Sequence, residues 1–74
     1  MKITVKLFAT LRTDRFEQDV LHAESGTSVQ QMIDMLTIPP DEAAIIFVNG
    51  RHADLRTALS DGDTLSIFPP IGGG

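Results

Sequence analysis

Seventy-four residues, 42% of them hydrophobic, allow one small globular domain and no more. Ten acidic residues against six scattered Lys and Arg give a net charge of −4, which argues against nucleic acid as a partner, because no basic cluster or aromatic–basic pattern is present to grip phosphates and stack bases. The acidic balance reads either as plain solubility or as preference for a partner with a basic docking face. The absence of cysteine excludes disulfides, thiol nucleophiles and thiolate metal sites.

The first element is a strand over Lys2 to Phe8. Ile3, Val5 and Leu7 fall on one face, and Lys2, Thr4, Lys6 and Phe8 on the other. No long apolar stretch of a signal peptide or a membrane span occurs, so a cytoplasmic protein without a membrane partner is expected. Ala9 to Arg15 is polar and reads as a connection with room for a helical turn. Phe16 to Ala23 reads as a second strand of weaker alternation, completing an N-terminal hairpin.

Ser25-Gly26 is a break. Thr27 followed by Gln30 fits a capping box, and Val29, Met32, Ile33 and Leu36 recur at helical spacing, predicting a helix over 28–36. Thr37-Ile38-Pro39-Pro40 ends it, since proline cannot continue a helix and restricts the residue before it. Ala44 to Val48 is a short apolar strand. Asn49-Gly50 is a type I′ hairpin signal, with Arg51 to Ala53 as the return strand. Leu55 to Leu59 reads as a helical turn, Asp61-Gly62-Asp63 as a tight turn, and Thr64 to Phe68 as the last strand. The sum is a ββαββ chain of the α+β class. One main helix covers one face of a small mixed sheet, and the last strand is free to pair in parallel with the first.

Beyond Phe68 the chain reads Pro69-Pro70-Ile71-Gly72-Gly73-Gly74. Two prolines favour an extended path, and glycine without a Cβ threads a narrow channel in any conformation. Six residues from Pro69 reach on the order of 20 Å beyond the sheet. A plain frayed end is the competing reading. Alternation also turns Phe8, Phe47 and Phe68 outward on strands one, three and five, with Ile45 beside Phe47. If those strands are neighbours, as in the fold implied by the resemblance described below, the rings gather into one exposed apolar patch near the tail, of the kind that marks a binding surface. The alternative is that one or more of them packs under a loop at the core's rim.

Other candidates are weaker. His22 and His52 stand thirty residues apart without a ligand cluster and read as surface residues. Ser60, Asp61 and Asp63 fit turn chemistry better than an acidic site. Met32 and Met35 read as core or edge packing. Lys2 and Lys6 are the only lysines, both on strand one, which argues against a chain-forming modifier.

Three groups of residues carry a resemblance over nearly the whole chain. They are Val5-Lys6-Leu7-Phe8-Ala9-Thr10-Leu11-Arg12, then Val48-Asn49-Gly50, then Leu59 to Pro70 with its Asp-Gly-Asp, strand and Phe-Pro-Pro, followed by a terminal Gly-Gly. In these the chain resembles the ubiquitin-like sulfur carriers of the MoaD and ThiS type, most of all the small subunits of molybdopterin synthase. The Gly-Gly-Gly end also resembles the thiamine-pathway carriers, and Ile71-Gly72 stands where molybdopterin-type chains often have a small or aliphatic pair.

The resemblance implies a ubiquitin-like β-grasp fold over 1–68 and a flexible tail over 69–74. It implies that a ubiquitin-activating-enzyme-like adenylyltransferase uses ATP to adenylate Gly74, and that a persulfide sulfur displaces AMP to leave a thiocarboxylate. Gly72 and Gly73 would be tail, and Phe8, Phe47, Phe68, Pro69, Pro70 and Ile71 partner-binding. The chain would be a non-catalytic sulfur donor holding no cofactor or metal of its own. Its acceptor would be the molybdopterin synthase large subunit, or alternatively thiazole synthase. An isopeptide-forming protein modifier and an interaction domain with an inert tail are the other readings.

Overall fold

A computed structural model of the protein describes residues 1–70. Its elements are β1 (Lys2–Leu7), a 3-10 turn (Ala9–Arg12), β2 (Gln18–His22), α1 (Val29–Met35), a second 3-10 turn (Pro40–Glu42), β3 (Ile45–Val48), β4 (Arg51–His52) and β5 (Thr64–Phe68). The strands form one mixed sheet in the order β2-β1-β5-β3-β4. β1 and β5 pair in parallel, with Val5 opposite Leu65 and Leu7 opposite Ile67. The other pairings are antiparallel. This is the ββαββ arrangement that the residue pattern predicts and the ubiquitin-like β-grasp fold that the resemblance implies.

Alternation decides what each strand buries. Ile3, Val5 and Leu7 from β1, Leu65 and Ile67 from β5, and Ile46 from β3 turn to the helix side and are almost wholly buried. Val29, Met32 and Ile33 of α1 meet them at helical spacing, and Leu11, Ile38, Ala43 and Leu59 close the margins. No polar or charged residue is buried among the described residues. The core is therefore purely apolar, and its stabilisation rests on area removed from water.

The helix ends differ from the sequence reading. The N-cap is Ser28, one residue later than Thr27. Its hydroxyl accepts the Gln31 N–H, and the Gln31 side chain accepts the Ser28 N–H. Thr27 instead donates its hydroxyl to the Glu24 carbonyl. Both registers offer a Ser or Thr three residues before a Gln, so local chemistry does not separate them. The pairing of Ser28 with Ala58 does.

At the other end the helix stops before the prolines act. Thr37 takes a φ of +53°, the Thr37 N–H donates to the Asp34 carbonyl, and the Ile38 N–H donates to that of Ile33. This is a Schellman motif with threonine where glycine is usual. Arg15 reinforces it by donating from its guanidinium to the carbonyls of Leu11 and Thr37, each 3.2 Å away.

Leu55 to Leu59 is not a helical turn. The carbonyls of Thr57 and Leu55 accept the N–H groups of Val29 and Gln30, and the Leu59 N–H donates to Thr27. The segment opens with a single turn at Leu55-Arg56, closed by the Thr57 N–H on the Asp54 carbonyl, then runs beside the start of α1 and satisfies donors that a helix cannot satisfy for itself. Asp54 shapes its entry by accepting the Arg56 N–H through Oδ1.

Candidate functional site

The outward face of the sheet carries the candidate site. Phe8 follows β1 in extended conformation (φ −121°, ψ 148°), and its N–H donates to the Ile67 carbonyl. That continuation of the strand sends the ring to the side away from the helix. Phe68 is the last residue of β5 and stands opposite Ile45 of β3. Phe47 is two residues further along β3, opposite His52 of β4.

The structure brings the three rings together. Phe8 and Phe68 stack with centroids 4.0 Å apart and planes at 10°, and Phe47 meets Phe68 edge-on at 5.8 Å. His52 adds a tilted contact to Phe47 at 4.5 Å, and the Arg12 guanidinium stands 5.7 Å from the centre of the Phe8 ring. The result is a ladder from Arg12 through three phenylalanines to His52, crossing β1, β5, β3 and β4. Each phenylalanine is half-buried, because each covers part of its neighbour. None belongs to the hydrophobic core, which lies on the other side of the sheet.

Arg12 and His52 are members that the sequence reading passed over. Arg12 reaches its place because the Ala9–Arg12 turn folds back over the end of β1, where its Nε donates to the Leu7 carbonyl at 2.9 Å. His52 is placed by the Asn49-Gly50 turn, whose φ values of +53° and +80° fix the register of the short hairpin. Counting back from that turn was the available signal.

The tail begins directly after Phe68, beside these rings. The Ala44 N–H donates to the Phe68 carbonyl at 3.0 Å. Pro69 and Pro70 have no N–H to extend a ladder, so regular pairing stops at Phe68. Pro69 is half-buried and Pro70 exposed. Ile71, Gly72, Gly73 and Gly74 lie outside the described residues.

The remaining candidates separate. His22 sits on β2 and His52 on β4, at opposite edges of the sheet, so they do not form a pair. Met32 is fully buried, whereas Met35 is 57% exposed. Among the described residues no group of three or more metal-ligating side chains converges, and no helix is long and apolar enough to cross a membrane.

The Asp-Gly-Asp segment is structural. Asp61 Oδ1 accepts the Lys2 N–H at 2.7 Å, and the Gly62 N–H donates to the Lys2 carbonyl at 2.8 Å. Asp63 accepts from Asn49 Nδ2 through one oxygen and from the Ser60 N–H through the other. Asn49 Oδ1 accepts the Thr64 N–H, so the two turns are tied at the start of β5.

Comparison with known proteins bears on the family and the fold. A model of the ThiS family matches residues 5–74. The solution structure of the Haloferax volcanii HVO 2177 protein is 26% identical, with a TM-score of 0.81, covering 100% of this chain and 87% of that one. The complex of subunits 1 and 2 of molybdopterin-converting factor from Helicobacter pylori contains a chain 25% identical to this one, with a TM-score of 0.69 and 100% coverage of both. Small archaeal modifier protein 1 of Haloferax volcanii shares the fold at 24% identity and a TM-score of 0.79, over 95% of this chain and 98% of that one. No curated protein matches the sequence. The chain belongs to the ThiS family, the ubiquitin-like sulfur carriers.

Proposed function

We propose that this protein carries sulfur as a thiocarboxylate on Gly74 and delivers it in molybdopterin synthesis. The observation that carries the reading is the position of the tail's root. β5 is the central strand, its last residue lies within the aromatic ladder, and two prolines lead from it toward a terminal Gly-Gly. An enzyme seated on the ladder would find the tail's root, Pro69-Pro70, at a fixed place.

The chemistry needs little from the carrier. The Gly74 carboxylate attacks the α-phosphate of ATP in the activating enzyme, pyrophosphate leaves, and an acyl-adenylate forms. A persulfide's terminal sulfur attacks the acyl carbon and AMP leaves. Reduction of the resulting S–S bond by a thiol frees the thiocarboxylate. A chain without cysteine has no thiol to capture its own activated end. Glycine adds no side chain to obstruct the channel. The carrier contributes recognition and reach, and the catalytic groups belong to its partners.

The subunit pair of molybdopterin-converting factor from Helicobacter pylori supports a large-subunit partner for a chain of this shape. The test is the intact mass of the protein after incubation with ATP, an adenylyltransferase active on a known carrier, and a sulfur donor. Exchange of one oxygen for sulfur, lost on deleting Gly74, is the expected result. An unchanged mass sinks the proposal. Offering the thiocarboxylated protein to a molybdopterin synthase large subunit and to a thiazole synthase then decides the pathway by which of them consumes it. Lysine-linked adducts in a lysate would instead favour a modifier.

A further inference from the structure

The charges of this protein are unevenly placed. The chain has ten Asp and Glu, yet the outward positions of the five strands hold none of them. Alternation and register put Lys2, Lys6, His22 and His52 on that face, and turn Asp19, which pairs with buried Val5, to the helix side. Lys6 precedes Phe8 by two residues on the same face, opposite Ser66 of β5. Arg12 is anchored to the Leu7 carbonyl over the Phe8 ring. Lys6, Phe8 and Arg12 line one hollow of about 210 Å³ together with Glu17 and Gln18. Glu17 lies 3.4 Å from Arg12 and is 76% exposed. A protein of net charge −4 therefore turns a cationic, aromatic face outward at the root of its tail.

We infer that the partner surface received by this face is apolar at its centre and acidic at its rim, with a carboxylate that seats beside Phe8 between Lys6 and Arg12. This rests on the reading above that enzymes dock on the sheet face. The sign is opposite to what net charge alone suggests, namely a partner with a basic docking face. Local charges at the contact govern register and exclude wrong partners, because like charges brought together there are strongly unfavourable. Glu17 holds Arg12 in the free chain. An incoming carboxylate takes over that cation, and the exposed Glu17 carboxylate is left solvated by water, not stranded in an apolar site.

The experiment measures binding of the full chain to its own organism's adenylyltransferase, without ATP, by calorimetry. Salt is set at about 50 mM and about 500 mM, spanning strong and weak screening. Wild type should bind more weakly at high salt. Lys6→Glu should bind about tenfold more weakly at low salt, Lys6→Gln should fall between, and the salt dependence should shrink in both. Glu17→Gln should bind as tightly as wild type or more so, and Asp34→Lys on the helix side should match wild type. Circular dichroism confirms that each variant is folded. Wild-type binding that is indifferent to salt, or Lys6→Glu binding as tightly as wild type, overturns the inference while leaving thiocarboxylation intact. Wild type that neither binds nor becomes thiocarboxylated overturns the functional reading and this inference together.

Discussion

The stack of Phe8 on Phe68 can be weighed by a double-mutant cycle. Phe8→Ala removes one ring contact, and Phe68→Ala removes two, the 4.0 Å stack and the 5.8 Å edge contact with Phe47. Aromatic pairs contribute about 0.5–1.5 kcal/mol each beyond area burial. Both rings are half-buried, so their loss costs less than the roughly 3–5 kcal/mol of a fully buried phenylalanine. We expect about 1–2 kcal/mol for Phe8→Ala and about 2–3 kcal/mol for Phe68→Ala, with a coupling near 1 kcal/mol in the double variant. A domain of this length holds roughly 4–11 kcal/mol in all, so the singles stay folded and their docking can be read separately. The melting temperature of Phe68→Ala should fall on the order of 10–20 °C. Without Trp or Tyr the chain lacks a strong fluorescence probe, so urea titration followed by far-UV circular dichroism is the suitable assay. A coupling below about 0.3 kcal/mol, the usual scatter of additive sites, would refute the stacked arrangement.

The helix ends make two further predictions. Ser28→Ala should lose about 1 kcal/mol, the usual worth of an N-cap, whereas Thr27→Ala should lose clearly less; the reverse order in urea midpoints would restore the Thr27 register. Thr37→Gly should raise the melting temperature, because a β-branched residue at a φ of +53° carries about 1–2 kcal/mol of strain. A destabilised Thr37→Gly variant would mean that the hydroxyl's 2.6 Å bond to the Leu36 carbonyl outweighs that strain.

Much of the fold was legible because period-2 alternation is unambiguous in β1 and β5, where buried Ile3, Val5, Leu7, Leu65 and Ile67 alternate with Lys, Thr and Ser. The Asn49-Gly50 turn set β3 against β4 for the same local reason. β2 was less legible. The predicted strand over 16–23 is regular only over Gln18–His22, though the Glu17 carbonyl and the Ala23 N–H still bond to Leu7 and Met1, since at a sheet edge both faces of a strand are largely wet and patterning is relaxed. The segment from Leu55 to Leu59 was misread because its conformation is set by α1. Its carbonyls serve the helix's free N–H groups, a long-range demand with no local trace. Likewise, the apolar half of the candidate site follows from alternation, while Arg12 depends on a turn that folds back over β1 and on a main-chain carbonyl as anchor.

β5 shows why the motif residues and the proposed working end belong to one design. Its start is held by Asn49, whose side chain accepts the Thr64 N–H, with Asp63 bridging to Asn49 and Ser60. Its middle pairs with β1 on one side and β3 on the other. Its end is held by the Ala44 N–H on the Phe68 carbonyl and by the Phe8 and Phe47 rings. A central strand fixed at both ends cannot slip by one residue without exchanging Leu65 and Ile67 for Ser66 and Phe68 in the core. The register that keeps the core apolar is therefore the register that delivers Phe68 to the outer face and Pro69 to the tail's root. Under the proposed function, Asp-Gly-Asp, remote from any chemistry, would act by fixing where the tail begins.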